Sequence, residues 1–333
     1  MCCSWGMVRQ WSSAGPLEGC TRAGGCVGRA APRARREGIG RACGTRGAQE
    51  GREMRLGAQV FVDSDDPEEL AKAHRAVGYR AAFCPELSPG DGDRIRAVRE
   101  AFAKHDVVIA EVGVWNNLMD PDEGKRKANL TAMKEGLALA EEVGALCLVN
   151  IAGSFSPTNW AGPHLDNLSR EAFDLAVANA REIVDAVKPK HAKLTYEMMP
   201  FCVPDSADSY LRLMEAVDRP GFGVHLDVVN TINGVDRYFD TTGVIKECFE
   251  KLGAHITSCH LKDIRLGDAL TVHLDEVIVG EGAFDIRTYL LEVQKLPHQP
   301  PILLEHLRTK QEYDRAREHV LGLAREVGVD FGG

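Results

Sequence analysis

From Met54 onward the chain alternates, eight times over, between a short apolar or β-branched run and a stretch of helical periodicity. The runs are 55–62, 79–86, 107–115, 145–153, 193–200, 222–230, 256–263 and 302–307. Few folds accommodate such alternation, because a strand followed by a helix returns to its sheet by a right-handed crossover and so pairs in parallel with its predecessor. Eight such units over about 280 residues have the size of a closed (β/α)8 barrel. The predicted fold class is therefore α/β, a TIM barrel spanning residues 54–333.

The helical stretches carry their own start and stop signals. Asp66-Pro67-Glu68-Glu69 supplies an N-cap, a first-turn proline and early acids, and Asp120-Pro121-Asp122-Glu123 repeats the device. Gly78 and Gly144 close those two helices. Further helices run through Phe173, Leu175, Ala176 and Ile183, through Leu211, Leu213, Met214 and Val217, and through Ile245, Phe249 and Leu252. The competing architecture is an open doubly wound sheet. A nucleotide-binding sheet needs glycines at its first strand-to-helix turn to admit a pyrophosphate, and here that turn reads Val62-Asp63-Ser64-Asp65-Asp66-Pro67.

Residues 1–53 show neither period and are rich in Gly, Arg, Ala and Ser, so they read as a disordered or non-native N-terminal extension upstream of a start at Met54. They hold nine Arg and four Glu of the chain's 40 basic and 49 acidic side chains, which leaves the body a net charge of −14. An acidic body without a basic groove repels a phosphate backbone, and nucleic acid is not expected as a partner. No apolar run approaches the roughly 20 residues of a bilayer span, and no secretory signal is evident. Five cysteines lie within the N-terminal 53 residues. The others, Cys84, Cys147, Cys202, Cys248 and Cys259, sit singly and mostly in apolar runs, without any CxxC pair. The expected setting is a reducing cytoplasm.

In a barrel of this kind chemistry gathers at the C-terminal ends of the strands. The last four runs each place one metal-competent residue there: Glu197 in Thr195-Tyr196-Glu197, Asp227 in His225-Leu226-Asp227, His260 in Ser258-Cys259-His260, and Glu305 in Leu303-Leu304-Glu305. Side chains alternate between lumen and helical shell, so these residues share the inner face with Thr195, His225, Ser258 and Lys262, while Leu194, Leu226, Leu261 and Leu304 point outward. Three carboxylates buried together resist ionisation unless a cation joins them. One imidazole with three carboxylates is a hard donor set, suited to one divalent ion; Mn²⁺ is the first expectation, with Mg²⁺, Co²⁺ or Zn²⁺ as alternatives. His225 is expected as a hydrogen-bonded support. Trp115 and Asn116, with Glu111 and with Asn150 on strand four, are candidates for a sugar-facing wall, and Lys262 for a donor to a substrate oxygen. The Thr271–Glu276 segment is expected to fold over the site, with Glu276 either supporting a ligand histidine or serving as loop charge.

Several motifs carry a family resemblance: Tyr196-Glu197, His225-Leu226-Asp227, His260-Leu261-Lys262-Asp263, Val279-Gly280-Glu281-Gly282 followed by Phe284-Asp285, and Leu304-Glu305. On these the chain resembles the xylose isomerase-like barrel superfamily, especially its sugar phosphate isomerase/epimerase branch. The resemblance implies a single metal held by Glu197, Asp227, His260 and Glu305. It also implies that Glu197 and Glu305 flank the substrate as proton-transfer groups while a metal-chelated ketone passes through an enediolate. Asn230 stands where epimerase relatives have a histidine, and Arg265 is the nearest match to their arginine after strand seven. An apurinic-endonuclease activity is disfavoured, because Phe83-Cys84-Pro85-Glu86 and Glu111-Val112-Gly113-Val114-Trp115 lack the extra histidines of a trinuclear site.

The leading expectation is an isomerase or epimerase of a small sugar or polyol-derived ketone. A lyase resembling a keto-inositol dehydratase, working from the same metal site, is the alternative. A non-catalytic sugar-binding barrel is a third possibility, and a homo-oligomer is possible in each case.

Overall fold

A computed structural model describes residues 53–332 of the chain. Apart from Glu53, the segment read as a disordered or non-native extension lies outside the described residues.

The barrel strands are β1 (Leu56–Gly57), β2 (Ala81–Phe83), β3 (Val108–Gly113), β4 (Cys147–Asn150), β5 (Lys193–Glu197), β6 (Phe222–Leu226), β7 (Ile256–Leu261) and β10 (Ile302–Leu304). They close in the order β1-β10-β7-β6-β5-β4-β3-β2, every pairing parallel. The eight expected runs thus become the eight staves. Each hydrogen-bonded ladder is shorter than its apolar run. The principal helices are α1 (Pro67–Ala76), α2 (Gly92–Lys104), α3 (Glu123–Val143), α4 (Arg170–Val187), α5 (Ala207–Val217), α6 (Val235–Phe239), α7 (Thr241–Leu252), α8 (Ile286–Lys295) and α9 (Lys310–Val327). Among the described residues no helix is long and apolar enough to cross a membrane.

The caps follow local chemistry. Asp66 accepts from the Glu69 amide, with Pro67 opening α1 as expected. The second device works two residues later than its sequence suggests. Asp122, not Asp120, caps α3 by accepting from the Lys125 amide, while Asp120 accepts from the Asp122 amide and so shapes the approach to the helix. Gly144 ends α3 in the left-handed region, at φ +82°.

Between β7 and α8 the chain makes an antiparallel hairpin, β8 (Asp263–Leu266) with β9 (Leu274–Val277). The seventh barrel strand therefore stops at Leu261, two residues short of its expected end. The cause is Asp263, a buried carboxylate that accepts from the amides of Ile264 (2.8 Å), Gly280 (2.9 Å), Gly282 (2.9 Å) and Phe284 (3.0 Å). Four backbone donors on one anion pin the hairpin's return to the barrel rim. Gly282 permits the approach, since a Cβ there would stand 2.2 Å from Asp263 Oδ1 and 2.4 Å from the Ile264 carbonyl.

The main apolar core lies between strands and helices. Leu194, Leu226, Leu261 and Leu304 are all fully buried in it, which matches the outward parity assigned to them. A small separate cluster of Ala81, Ala110 and Leu303, with Phe83 against it, belongs to the opposite parity and plugs the lumen. Above it the lumen is polar. Of the five cysteines outside the N-terminal stretch, Cys147, Cys202, Cys248 and Cys259 are buried free thiols and Cys84 is half-buried.

Candidate metal centre

Glu197 ends β5, Asp227 follows β6 by one residue, His260 lies in β7, and Glu305 follows β10 by one residue. Parallel staves bring these strand ends to one level, and one donor atom from each of the four lies within 4.8 Å of the others. His260 Nδ1 is 2.8 Å from Glu305 Oε2, 3.4 Å from Glu197 Oε1 and 3.9 Å from Asp227 Oδ2. The structure therefore brings together all four residues that the sequence nominated as ligands.

Two features show that this donor set suits a divalent cation. Asp227 Oδ2 and Glu305 Oε2 are buried and receive no directed hydrogen bond, an expensive condition for carboxylate oxygens that an ion would relieve. The other ring nitrogen of His260, Nε2, lies 3.1 Å from Glu111 Oε1. With the ring neutral and an ion bound, donation to that carboxylate would leave the Nδ1 lone pair facing the other three residues, the arrangement seen around metal-bound histidines.

The lysine two residues on completes the cluster. Lys262 is 1% exposed, and its Nζ lies 2.8 Å from Asp227 Oδ2, 2.9 Å from Glu305 Oε2 and 3.4 Å from Glu197 Oε1. Charge and burial oppose each other throughout. Burial pushes the Asp227 carboxyl up to about 6: Lys262 draws it down, while the charge of Glu197 pushes the same way as burial. Burial likewise works against Glu197, yet the Lys262 ammonium and the hydrogen bond from His260 hold it at about 2. Glu305 is held well below the carboxylate range, because burial is outweighed by the neighbouring charges of His260 and Lys262. Lys262 and His260 are both raised well above their ordinary values, their burial outweighed by the surrounding acids.

Glu111 departs from its expected place in a sugar-facing wall. It points into the lumen from β3, essentially without exposure, and meets His225 Nε2 (2.9 Å), Ser258 Oγ (3.1 Å) and His260 Nε2. Burial opposes its ionisation, but the neighbouring charges of His260 and His225 hold it at about 2. His225 is thereby a support beneath the four-residue set, as expected.

A cavity of ≈ 390 Å³ opens above the carboxylates, lined by Trp115, Trp160, Met199, Asn230, Lys262, Glu197 and Glu305 among others. Trp115 and Lys262 border it as foreseen. Asn116 and Asn150 do not. The Asn150 amide donates to Asn116 Oδ1 (3.0 Å), Asn150 Oδ1 accepts from the Asn116 backbone, and the Asn116 amide donates to the Asn129 carbonyl, so the pair braces the rim against α3. Trp160 and Asn230 had not been picked out for this lining. Asn230 donates to Glu197 Oε1 (3.0 Å) and to the Met198 carbonyl (3.0 Å), and its backbone amide donates to Asp227 Oδ1 (3.1 Å). Its position three residues after Asp227 was the available signal. Glu276 pairs through Oε2 with His306 Nδ1 at 2.9 Å, not with a candidate ligand histidine. A larger hollow of ≈ 810 Å³ lies at the opposite mouth, among the first residues of β3, β5, β6 and β7, away from these acids.

Solved structures of similar architecture include a xylose isomerase-like TIM barrel protein from Mycobacterium smegmatis in complex with magnesium. It is 17% identical with a TM-score of 0.59, over 82% of this chain and 97% of that one. D-psicose 3-epimerase with D-tagatose, from Clostridium cellulolyticum H10, is 14% identical with a TM-score of 0.62, over 82% and 99%. A probable 3-DHS dehydratase from Bacillus anthracis is 14% identical with a TM-score of 0.60, over 81% and 98%. At these identities the likeness concerns the fold. No curated protein matches the sequence. The sequence model of the xylose isomerase-like TIM barrel matches residues 70–325, and the chain belongs to that family.

Proposed function

We propose that this protein is a divalent-metal-dependent isomerase or epimerase of a small sugar or polyol-derived ketone, with Glu197 and Glu305 as its proton-transfer pair. The observation that carries this reading is the convergence of Glu197, Asp227, His260 and Glu305 at the floor of a cavity that Glu197 and Glu305 both line. Asp227 and His260 would serve as ligands only, and the two glutamates as ligands that also face substrate. When bound, the cation, with Mn²⁺ the first candidate, would act as a Lewis acid on a ketone oxygen and acidify the neighbouring C–H.

The chain's own groups divide the remaining work. Glu197 and Glu305 come from staves separated by β6 and β7, so they approach a cavity-bound carbon from different sides. Carboxylates held ionised can accept a proton from one face of a carbon and return it to the other. The Asn230 amide fixes Glu197, and Lys262 supplies N–H donors beside the substrate's oxygens. Trp115 and Trp160 offer the apolar faces on which a sugar's C–H surface packs. The cavity is within the usual range for small-molecule sites.

Incubating the Mn²⁺-loaded protein in D₂O with a panel of ketoses and inososes tests the reading. Deuterium is expected to enter substrate at the carbon next to the carbonyl without loss of water. Formation of an unsaturated ketone would instead assign a dehydratase. Binding of a sugar with neither event would leave a non-catalytic barrel.

A further inference from the structure

Lys262 stands where the proposed cation also has to draw its oxygens. Strand alternation sends His260 and Lys262 to the same inner face, with Leu261 turned outward into the core. The Nζ atom approaches Asp227 Oδ2, Glu305 Oε2 and Glu197 Oε1 at 2.8, 2.9 and 3.4 Å. These are the side chains of the candidate ligand group. Only Glu197 receives a directed N–H. Asp227 Oδ2 and Glu305 Oε2 feel the ammonium's charge without a well-aimed hydrogen bond and remain unsatisfied acceptors.

We infer that Lys262 and the divalent cation contend for the same three carboxylates, so that taking up the ion is an exchange in which the ammonium gives up its contacts and turns into the cavity. This rests on the metal site proposed above. A hard divalent ion holds its oxygens at roughly 2.0–2.2 Å, inside the shell in which Nζ now sits, and two cations that close repel strongly. The charges nonetheless balance with both present, since three carboxylates match one divalent ion and one ammonium. Lys262 therefore needs to surrender contact, not to leave the neighbourhood. Its four-carbon stem is flexible, and the residue already borders the cavity beside Trp115 and Trp160. Loading the ion would thus deliver an ammonium to the space a substrate oxygen occupies, and would make the apparent metal affinity weaker than the bare donor set allows.

Equilibrium Mn²⁺ titration, reading free Mn²⁺ by electron paramagnetic resonance, compares the wild-type chain with Lys262→Met, a neutral side chain of similar length. The exchange predicts at least about tenfold tighter Mn²⁺ binding in the variant, together with a lower melting temperature for the metal-free variant. Equal or weaker binding in Lys262→Met overturns it. If neither protein binds, both this inference and the metal site fall, whereas tighter binding without any proton exchange on sugars overturns only the proposed activity. Should Lys262→Met fail to fold, amine labelling of the wild-type chain read by mass spectrometry gives the answer independently. Modification of Lys262 is expected to rise at least about fivefold when Mn²⁺ is added, and unchanged or reduced labelling overturns the exchange.

Discussion

Glu305 is the most exposed of the four clustered residues, with its side chain 14% accessible, and it reaches both His260 and the cavity. A residue placed between an ion and a substrate fits a proton carrier better than a purely structural ligand. Glu305→Gln keeps the shape and one coordinating oxygen but removes the base. Turnover is expected to fall at least about 100-fold with metal still bound, measured by steady-state kinetics alongside metal analysis; near-normal turnover would end the proton-transfer role. Glu111 acts through another residue. It holds His260 Nε2, and removing such a carboxylate commonly weakens a metal site by roughly 10–100-fold, so Glu111→Gln should raise the Mn²⁺ dissociation constant by that order. Its acidity adds a separate readout. Because its folded-state value, about 2, lies below the ordinary 4.5, the stability it contributes is complete above about pH 4.5 and is lost as pH falls toward 2. Urea melts at stepped pH should show a shallower acid limb in Glu111→Gln than in the wild type.

Much of this residue-level picture was legible from strand parity alone. The period of two separated Glu197, Asp227, His260 and Glu305 from their leucine neighbours, and the C-terminal rim rule set their level. Glu111 was assigned to a sugar-facing wall on its place near the rim; only the path of β3 across the lumen from β6 and β7 makes it a partner of two imidazoles. Asn116 and Asn150 pair with each other and with α3 instead of lining the cavity. An amide near a strand end reads the same in sequence whether it faces a ligand or another amide, and the approach of α3 decides.

At the scale of elements, the β8–β9 hairpin is the part that periodicity did not disclose. An apolar run ending in His260-Leu261-Lys262-Asp263 looks like one continuous strand, and nothing local marks Asp263 as an acceptor for four amides up to 21 residues away. Those bonds set the direction in which the chain leaves β7, just beyond the residue that carries Lys262 to the carboxylates. Asp263→Ala leaves buried donors unpaired and should cost about 3 kcal/mol or more in denaturant unfolding, with Asp263→Asn losing less because one acceptor remains. A loss below about 1 kcal/mol in Asp263→Ala would mean that the hairpin is held by other contacts.

For the whole molecule, the barrel explains why residues as far apart in sequence as Glu111 and His260 can share one site. Parallel closure sets β3, β5, β6, β7 and β10 around one lumen, and the rim gathers the side chains at the ends of β5, β6 and β10 with His260 of β7. Fold class followed from counting alternations, since few arrangements satisfy eight parallel staves. The substrate did not follow, because the cavity walls come from loops such as the one carrying Trp160, whose course no sequence period encodes.

The proposed activity depends on four side chains sharing one ion, and equilibrium dialysis against Mn²⁺ with metal analysis addresses that directly. The wild-type chain is expected to take up one ion per molecule saturably, and Asp227→Ala, which deletes a buried donor without touching the proposed proton carriers, to lose it at the same free concentration. Absence of saturable uptake by the wild type, or undiminished uptake by Asp227→Ala, would contradict the account.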